Sequence, residues 1–357
     1  MTRNVLVVGG SGLVGGNLIR RLGDTPHWRV KSLSRRPVDM AVPVHHVAAD
    51  LLDRTRLQAC ADLFSDLTHV FFRSRAVTLG YAISVEANTV ILENLLDVMS
   101  PVAPALQHVQ LVHGLKWYGS HVGPIKLPAK ESDPPHADSS FYRNQQDLLT
   151  RRQAGRGWSW STVRPNRLLE ALICAVTTDS PSNLVAMLGT FATILRELGQ
   201  ELWFPGSEQA FDAVTSVVDI DPLTKSMLWA ATDPNCANNA FNVANGDCFR
   251  WRDIWPRIAR EFGMTPGGVR STDLERFMAD KSAVWDAVVG KHDLRSTPFG
   301  MMADWSFAKN NVFASTWDVF ASTEKAHRFG FPDMVDSEEM VDRLSAAIER
   351  CKSCHDG

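Results

Sequence analysis

Long apolar runs are missing from this chain. The longest, Leu184 to Leu195, is broken by Gly189, Thr190 and Thr193 and falls short of the ~20 residues that a membrane span needs. No apolar stretch with a small-residue cleavage site opens the sequence either. Thr2-Arg3-Asn4 leads directly into Val5-Leu6-Val7-Val8, so no export signal is expected and a soluble, cytoplasmic protein is. Excess positive charge is missing too. The 37 Lys and Arg against 40 Asp and Glu leave a net charge of −3, without the basic footprint of a nucleic-acid binder. Metal motifs are lacking: there is no H-E-x-x-H and no paired C-x-x-C. Of eleven histidines only His45 and His46 are adjacent, and neighbours on a strand point to opposite faces. Cys60, Cys174, Cys236 and Cys248 sit in apolar context and read as reduced, buried thiols. The spacing Cys351-Lys-Ser-Cys354-His355 matches a haem attachment motif but lies at the chain end without an export signal, so no haem is expected.

What remains is ordinary globular material: 357 residues, 45% hydrophobic and 22% charged, enough for about two domains. Neither an internal repeat nor a clean linker is visible.

The strongest signal stands at the N-terminus. Asn4 to Val8 is a short, Val-rich run that reads as a buried parallel strand. It runs into Gly9, Gly12 and Gly15, spaced G-x-x-G-x-x-G, and then a helix with Val14, Leu18, Ile19 and Leu22 on one face. Gly9 allows the tight turn. Gly12 lets a pyrophosphate approach the backbone, and Gly15 lets helix pack on sheet. The open N–H groups of the first turn, at Leu13 and Val14, then face the phosphates. A second strand, Arg29 to Ser34, ends in Arg35-Arg36. An acidic residue there would take the ribose 2′-hydroxyl of NAD. Guanidinium groups instead suit a 2′-phosphate, so NADP(H) is expected, with Ser34, Arg35 and Arg36 around it. Further strands are expected at 44–49, 68–72 and 107–113, with a helix at 88–99 and Asp50-Leu51 near the adenine. Such alternation implies an α/β fold with a doubly wound parallel sheet.

Short-chain dehydrogenases usually carry Tyr-x-x-x-Lys on one helix. The three tyrosines here, Tyr81, Tyr118 and Tyr142, are each followed four residues on by Val85, Val122 or Gln146. The usual pair is absent. The segments His113-Gly114-Leu115-Lys116-Trp117-Tyr118 and Phe141-Tyr142-Arg143-Asn144, with Thr162-Val163-Arg164-Pro165 and Ala240-Phe241-Asn242-Val243-Ala244-Asn245-Gly246-Asp247 further on, resemble the progesterone 5β-reductase/iridoid synthase-like group of these enzymes. That group carries its lysine in a G-x-K-H-Y-like segment and its tyrosine in an N-F-Y-Y-like one. The resemblance covers most of the chain and matches Lys116 and Tyr142 to those residues.

It implies an NADPH-dependent 1,4-reduction of an enone or enal. Tyr142 would stabilise the enolate, Lys116 would assist it, and Arg164 and Pro165 would line the coenzyme. Arg73, Arg75, His113 and Tyr118 are candidates for the substrate pocket. At Arg73-Ser74-Arg75, His113 and Arg143, and in the segment after Pro165, the sequence departs from the group's pattern. The resemblance therefore implies the reaction type rather than the substrate. Residues 1–165 are expected to form the coenzyme-binding domain. Residues 166–357 should form a mainly helical cap, with about 210–250 returning to the first domain. The expected partner is a small molecule, with neither nucleic acid nor membrane; a homodimer is open to such a chain. Other classes stay open: a carbonyl or imine reductase, a nucleotide-sugar epimerase or dehydratase, and an NADP-binding sensor without catalysis.

Overall fold

A computed structural model describes residues 2–38, 42–76, 84–137, 141–169, 184–292 and 298–343. The Cys351-to-His355 segment, Cys174 and Tyr81 lie outside these. Seven strands form one parallel sheet: β1 (Arg3–Val8), β2 (Trp28–Ser34), β3 (Val44–Ala48), β4 (His69–Phe72), β5 (His108–Val112), β6 (Ser159–Pro165) and β7 (Asn239–Val243). Their order is β7-β6-β5-β4-β1-β2-β3, with every neighbouring pair parallel. Chain direction across the sheet reverses between β1 and β4. In an open α/β sheet a crevice forms at that point, beyond the carboxyl ends of the strands.

Helices cover both faces, as the apolar content of β1 and β5 requires. On one face α1 (Leu13–Gly23) sets Val14, Leu18, Ile19 and Leu22 into a core shared with Leu223 and Met227. On the other, α2 (Val85–Met99) and α3 (Tyr142–Gln153) bury Leu92, Leu95, Leu148 and Leu149. α2 begins three residues earlier than the apolar spacing suggested. The Ser84 hydroxyl accepts the Ala87 N–H at 3.1 Å and caps the helix there.

The cap has its own core. α4 (Leu184–Glu197) packs Leu188, Phe191 and Leu195 against Trp203 and Phe204 and against Trp251 and Trp255. The last two belong to α6 (Trp251–Glu261). α5 (Ile220–Thr232) returns to the sheet, where its Asp221 pairs with Arg21 of α1, and β7 follows it. Most late aromatic residues thus fill this second core. Of the cysteines expected to be buried, Cys236 is, Cys60 is half-buried and Cys248 is exposed. Cys248 lies in the turn just before Phe249, and Phe249 is the residue that packs inward.

Candidate active site

The carboxyl ends of the central strands open into a cavity of about 620 Å³. Gly9, Gly12, Leu13 and Val14 form one end of it. Gly9 has φ +86°, a region costly for residues with a Cβ. At Gly15 a Cβ would stand 2.3 Å from the Gly9 carbonyl oxygen, so α1 lies directly on the loop. At Gly12 a Cβ would meet only that same oxygen, at 3.4 Å. The first turn of α1 contains no acidic residue and no side-chain cap. Its open N–H groups and the bare Gly12 therefore fit a pyrophosphate.

At the end of β2, the Ser34 hydroxyl donates to the Arg36 carbonyl at 2.7 Å. Arg35 and Arg36 are exposed beyond it. Ser34 thus shapes the turn, and the guanidinium groups are the ones open to a phosphate. Past β3, Asp50 is exposed and accepts the Leu52 N–H at 2.9 Å. The Leu51 side chain is buried in the sheet's core, and its carbonyl accepts from Asn94.

Lys116, Tyr142, His113, Arg73 and Arg75 line the same cavity, and Arg73 lies against the glycine loop, where a Cβ at Gly9 would stand 3.0 Å from its carbonyl oxygen. Lys116 stands in a single turn of 3₁₀ helix, Leu115–Tyr118, that follows β5. Tyr142 opens α3. The Tyr142 ring is packed edge-on by Phe141 at 4.8 Å and stacks on His113 at 4.6 Å. A Cβ at Gly114 would lie 3.5 Å from the Tyr142 hydroxyl, so that hydroxyl sits two residues along the backbone from Lys116. Burial pulls the Lys116 ammonium below its ordinary pKa, and Arg75 adds to this. His113 is held well below the ordinary imidazole range, first by burial and next by Arg164. It is therefore neutral, and its part in the packing is as a flat wall behind Tyr142.

Arg73 follows β4, its N–H donating to the Val8 carbonyl at 3.0 Å. Burial, then the neighbouring Arg75, lower its pKa to about 10. The loop that carries both arginines is pinned at Ala76. Asn88, fully buried in α2, accepts the Ala76 N–H at 2.9 Å and donates to the Ala76 carbonyl at 2.8 Å.

Two expected residues have other work. Tyr118 does not line the cavity. It is buried, donating to Asn242 at 2.7 Å and accepting from Arg164 at 3.1 Å. The Arg164 guanidinium lies 3.8 Å over the Trp117 ring and also donates to Gln146 at 3.0 Å. A guanidinium so enclosed is held by aromatic faces and acceptors, and Arg164 is not among the residues lining the cavity. Pro165 does line the cavity, beside Asn166. The cap supplies residues that sequence reasoning missed: Asn310 and Asn311, from the π-helical turn Ala308–Val312, with Ser315 and Trp317. Trp317 donates to the Ser120 carbonyl at 3.3 Å and ties the cap to the Lys116 segment. Nothing local marked the asparagines.

The family model described as a PRISE-like Rossmann-fold domain matches residues 38–309. The chain belongs to that family. It is 32% identical over 359 residues to an (S)-8-oxocitronellyl enol synthase of Nepeta cataria, covering 96% of this chain and 91% of that protein. It is 30% identical over 345 residues to a 3-oxo-Delta(4,5)-steroid 5-beta-reductase of Arabidopsis thaliana, covering 91% and 86%. Among solved structures, a short-chain dehydrogenase/reductase superfamily protein of Agrobacterium tumefaciens with bound NAD superposes with a TM-score of 0.69 at 14% identity, covering 99% of each chain. A UDP-glucose 4-epimerase of Thermotoga maritima gives 0.68 at 12%, covering 97% and 99%. At such identities these two share the fold. This PRISE-like chain is thus an oxidoreductase of the short-chain dehydrogenase superfamily. Among the described residues no helix is long and apolar enough to cross a membrane.

Proposed function

We propose that the protein is an NADPH-dependent reductase that adds hydride to the β-carbon of an α,β-unsaturated carbonyl compound. The observation that carries this is the arrival of Lys116 and Tyr142, from separate elements, in the one cavity that also holds the glycine loop. The names of its relatives, an enol synthase and a 5-beta-reductase of 3-oxo-Delta(4,5)-steroids, support a reaction at an unsaturated carbonyl.

When bound, NADPH supplies the hydride. The glycine loop and the start of α1 hold its pyrophosphate, and Arg35 with Arg36 takes its 2′-phosphate. Hydride added at the β-carbon leaves negative charge on the former carbonyl oxygen. The Tyr142 hydroxyl is the donor for that oxygen, and one such donor changes rates on the order of 10²–10³-fold. The positive charge of Lys116 lowers the cost of negative charge on the phenol and the substrate oxygen. The α-carbon then takes a proton from solvent water, which completes the saturated carbonyl product. Packing between Phe141 and His113 fixes the ring so that its hydroxyl keeps one position. The thiols described are free, which suits a reducing compartment such as the cytoplasm.

The test follows NADPH absorbance with small enals, cyclic enones and saturated ketones, and then analyses the products. Saturated carbonyl products are expected from the first two, with no turnover of the ketones. Tyr142→Phe is expected to lower kcat on the order of 10²-fold while NADPH affinity holds. Wild-type turnover in that variant, or allylic alcohol as the product, overturns the reading.

A further inference from the structure

Arg73, Arg75 and Lys116 all line the cavity, and none of the described residues lining it is an aspartate or a glutamate. Several cations elsewhere are ion-paired. Arg152 meets Asp97 and Glu93, and Arg257 meets Glu338 and Asp342. Among the described residues neither Arg73 nor Arg75 has such a partner, and the buried Arg73 Nε has no acceptor. Arg73 and Lys116 are half-buried and Arg75 is exposed, and three like charges lining one cavity repel one another. The backbone of the loop that carries the two arginines is nevertheless fixed, because Asn88 makes two hydrogen bonds to Ala76. A fixed, unpaired set of cations is organised for an anion that arrives from outside.

We propose that the molecule reduced here is itself anionic: an enal or enone that also carries a carboxylate, gripped by Arg73 and Arg75. This rests on the ene-reductase reading above. It adds the substrate's charge and the residues that select it. Arg73 acts electrostatically on Tyr142 and His113, and Arg75 on Lys116. Arg73 is thus felt at the phenol and Arg75 at the lysine. The coenzyme's pyrophosphate is the other anion that could claim them, and its cradle at Gly12 and α1 already offers backbone donors. From the cap, Asn310, Asn311 and Ser315 set polar groups among the apolar Phe307, Val312 and Trp317, so the wall offers partners to a polar group as well as to an apolar skeleton.

The test compares a short enal bearing a terminal carboxylate with its methyl ester. For the wild type, kcat/KM is expected to favour the acid on the order of tenfold or more. In Arg75→Met, and separately in Arg73→Met, the acid-to-ester ratio should fall towards one. NADPH affinity, read by fluorescence titration, should stay within about twofold in Arg75→Met. A third readout needs no turnover: the saturated acid should quench tryptophan fluorescence of the NADP⁺-loaded wild type and fail to do so in Arg75→Met. A wild-type ratio near one overturns the proposal. So does a ratio that survives both substitutions while NADPH affinity drops tenfold, which would give the arginines to the pyrophosphate. If neither aldehyde is reduced but the saturated acid binds in an Arg75-dependent way, the anion site stands and the ene-reductase reading fails.

Discussion

Gly12 and Gly15 sit three residues apart in one loop, yet adding a methyl group to each should have different consequences. At Gly15 the new Cβ would lie 2.3 Å from the Gly9 carbonyl oxygen and 2.9 Å from the Gly10 Cα. Both obstacles are backbone, so relief requires α1 to lift about an ångström off the strand, opening a core that holds Val14, Leu18 and Leu22. Overpacking of that kind costs about 1–3 kcal/mol. For a chain of this size that corresponds to a fall in Tm of roughly 1–4 °C. At Gly12 the only close atom is the Gly9 oxygen at 3.4 Å, an ordinary contact. Replacing glycine by alanine at a helix N-cap costs about 1 kcal/mol or less. The added methyl instead occupies the space assigned to the pyrophosphate. Gly12→Ala should therefore melt within about 1 °C of the wild type without coenzyme, yet bind NADPH at least tenfold more weakly. Gly15→Ala should lose both stability and affinity. Thermal unfolding of the free protein and fluorescence titration with NADPH measure the two effects separately. Undiminished NADPH affinity in Gly12→Ala would show that the coenzyme's phosphates lie elsewhere. A wild-type melting temperature in Gly15→Ala would show that the loop and helix are less closely set than described.

Other outcomes follow from the same geometry. Arg35→Ala should weaken NADPH more than NADH, and equal losses in titrations of the two would remove Arg35 from the 2′-phosphate site. Tyr118→Phe leaves Asn242 and Arg164 short of a partner and should cost about 1–3 kcal/mol in urea unfolding; an unchanged midpoint would refute the buried network. Burial lowers the pKa of Lys116, so its charge is lost at a lower pH than an ordinary lysine's. Activity should fall as pH rises through that pKa, and Lys116→Arg should carry this alkaline limb upward; an unmoved limb would assign it to another group. His108 is depressed to about 3 and His69 to about 4, both chiefly by burial. Their unfolded forms bind protons first, so stability is full above about pH 6.5 and falls by about 1.4 kcal/mol per pH unit per group below it. His108→Gln should flatten that slope in acid unfolding curves.

Local signals carried much of the fold. The Val-rich strand, the three glycines and the apolar stripe of Val14, Leu18, Ile19 and Leu22 describe one βα unit from neighbouring residues alone. The alternation behind it sufficed for a parallel, doubly wound sheet. Lys116 and Tyr142 were visible because each sits in a short segment of distinctive composition. That they share a cavity depends on how α3 packs against α2, β6 and the turn at Leu115–Tyr118, which spacing does not encode. Arg164 shows the same limit. The resemblance sets it beside the coenzyme with Pro165, while Trp117, Tyr118 and Gln146, from two other elements, hold its guanidinium in the interior. Asn310 and Asn311 were invisible because their π-helical turn has no sequence period of its own, and only the folded cap brings them over the site.

The seventh strand has a consequence for how the protein is made. Asn239–Val243 reaches the sheet only after the first cap helices have been synthesised, yet it pairs along the whole carboxyl half of β6, and Phe241 buries its ring in the core beside α5. A fragment ending at residue 165 would leave that edge and that apolar seat open, inviting strands from other molecules. The coenzyme half therefore cannot be cut out as an independent unit, and completing its sheet must wait on contacts between residues almost eighty positions apart, a topology that slows folding.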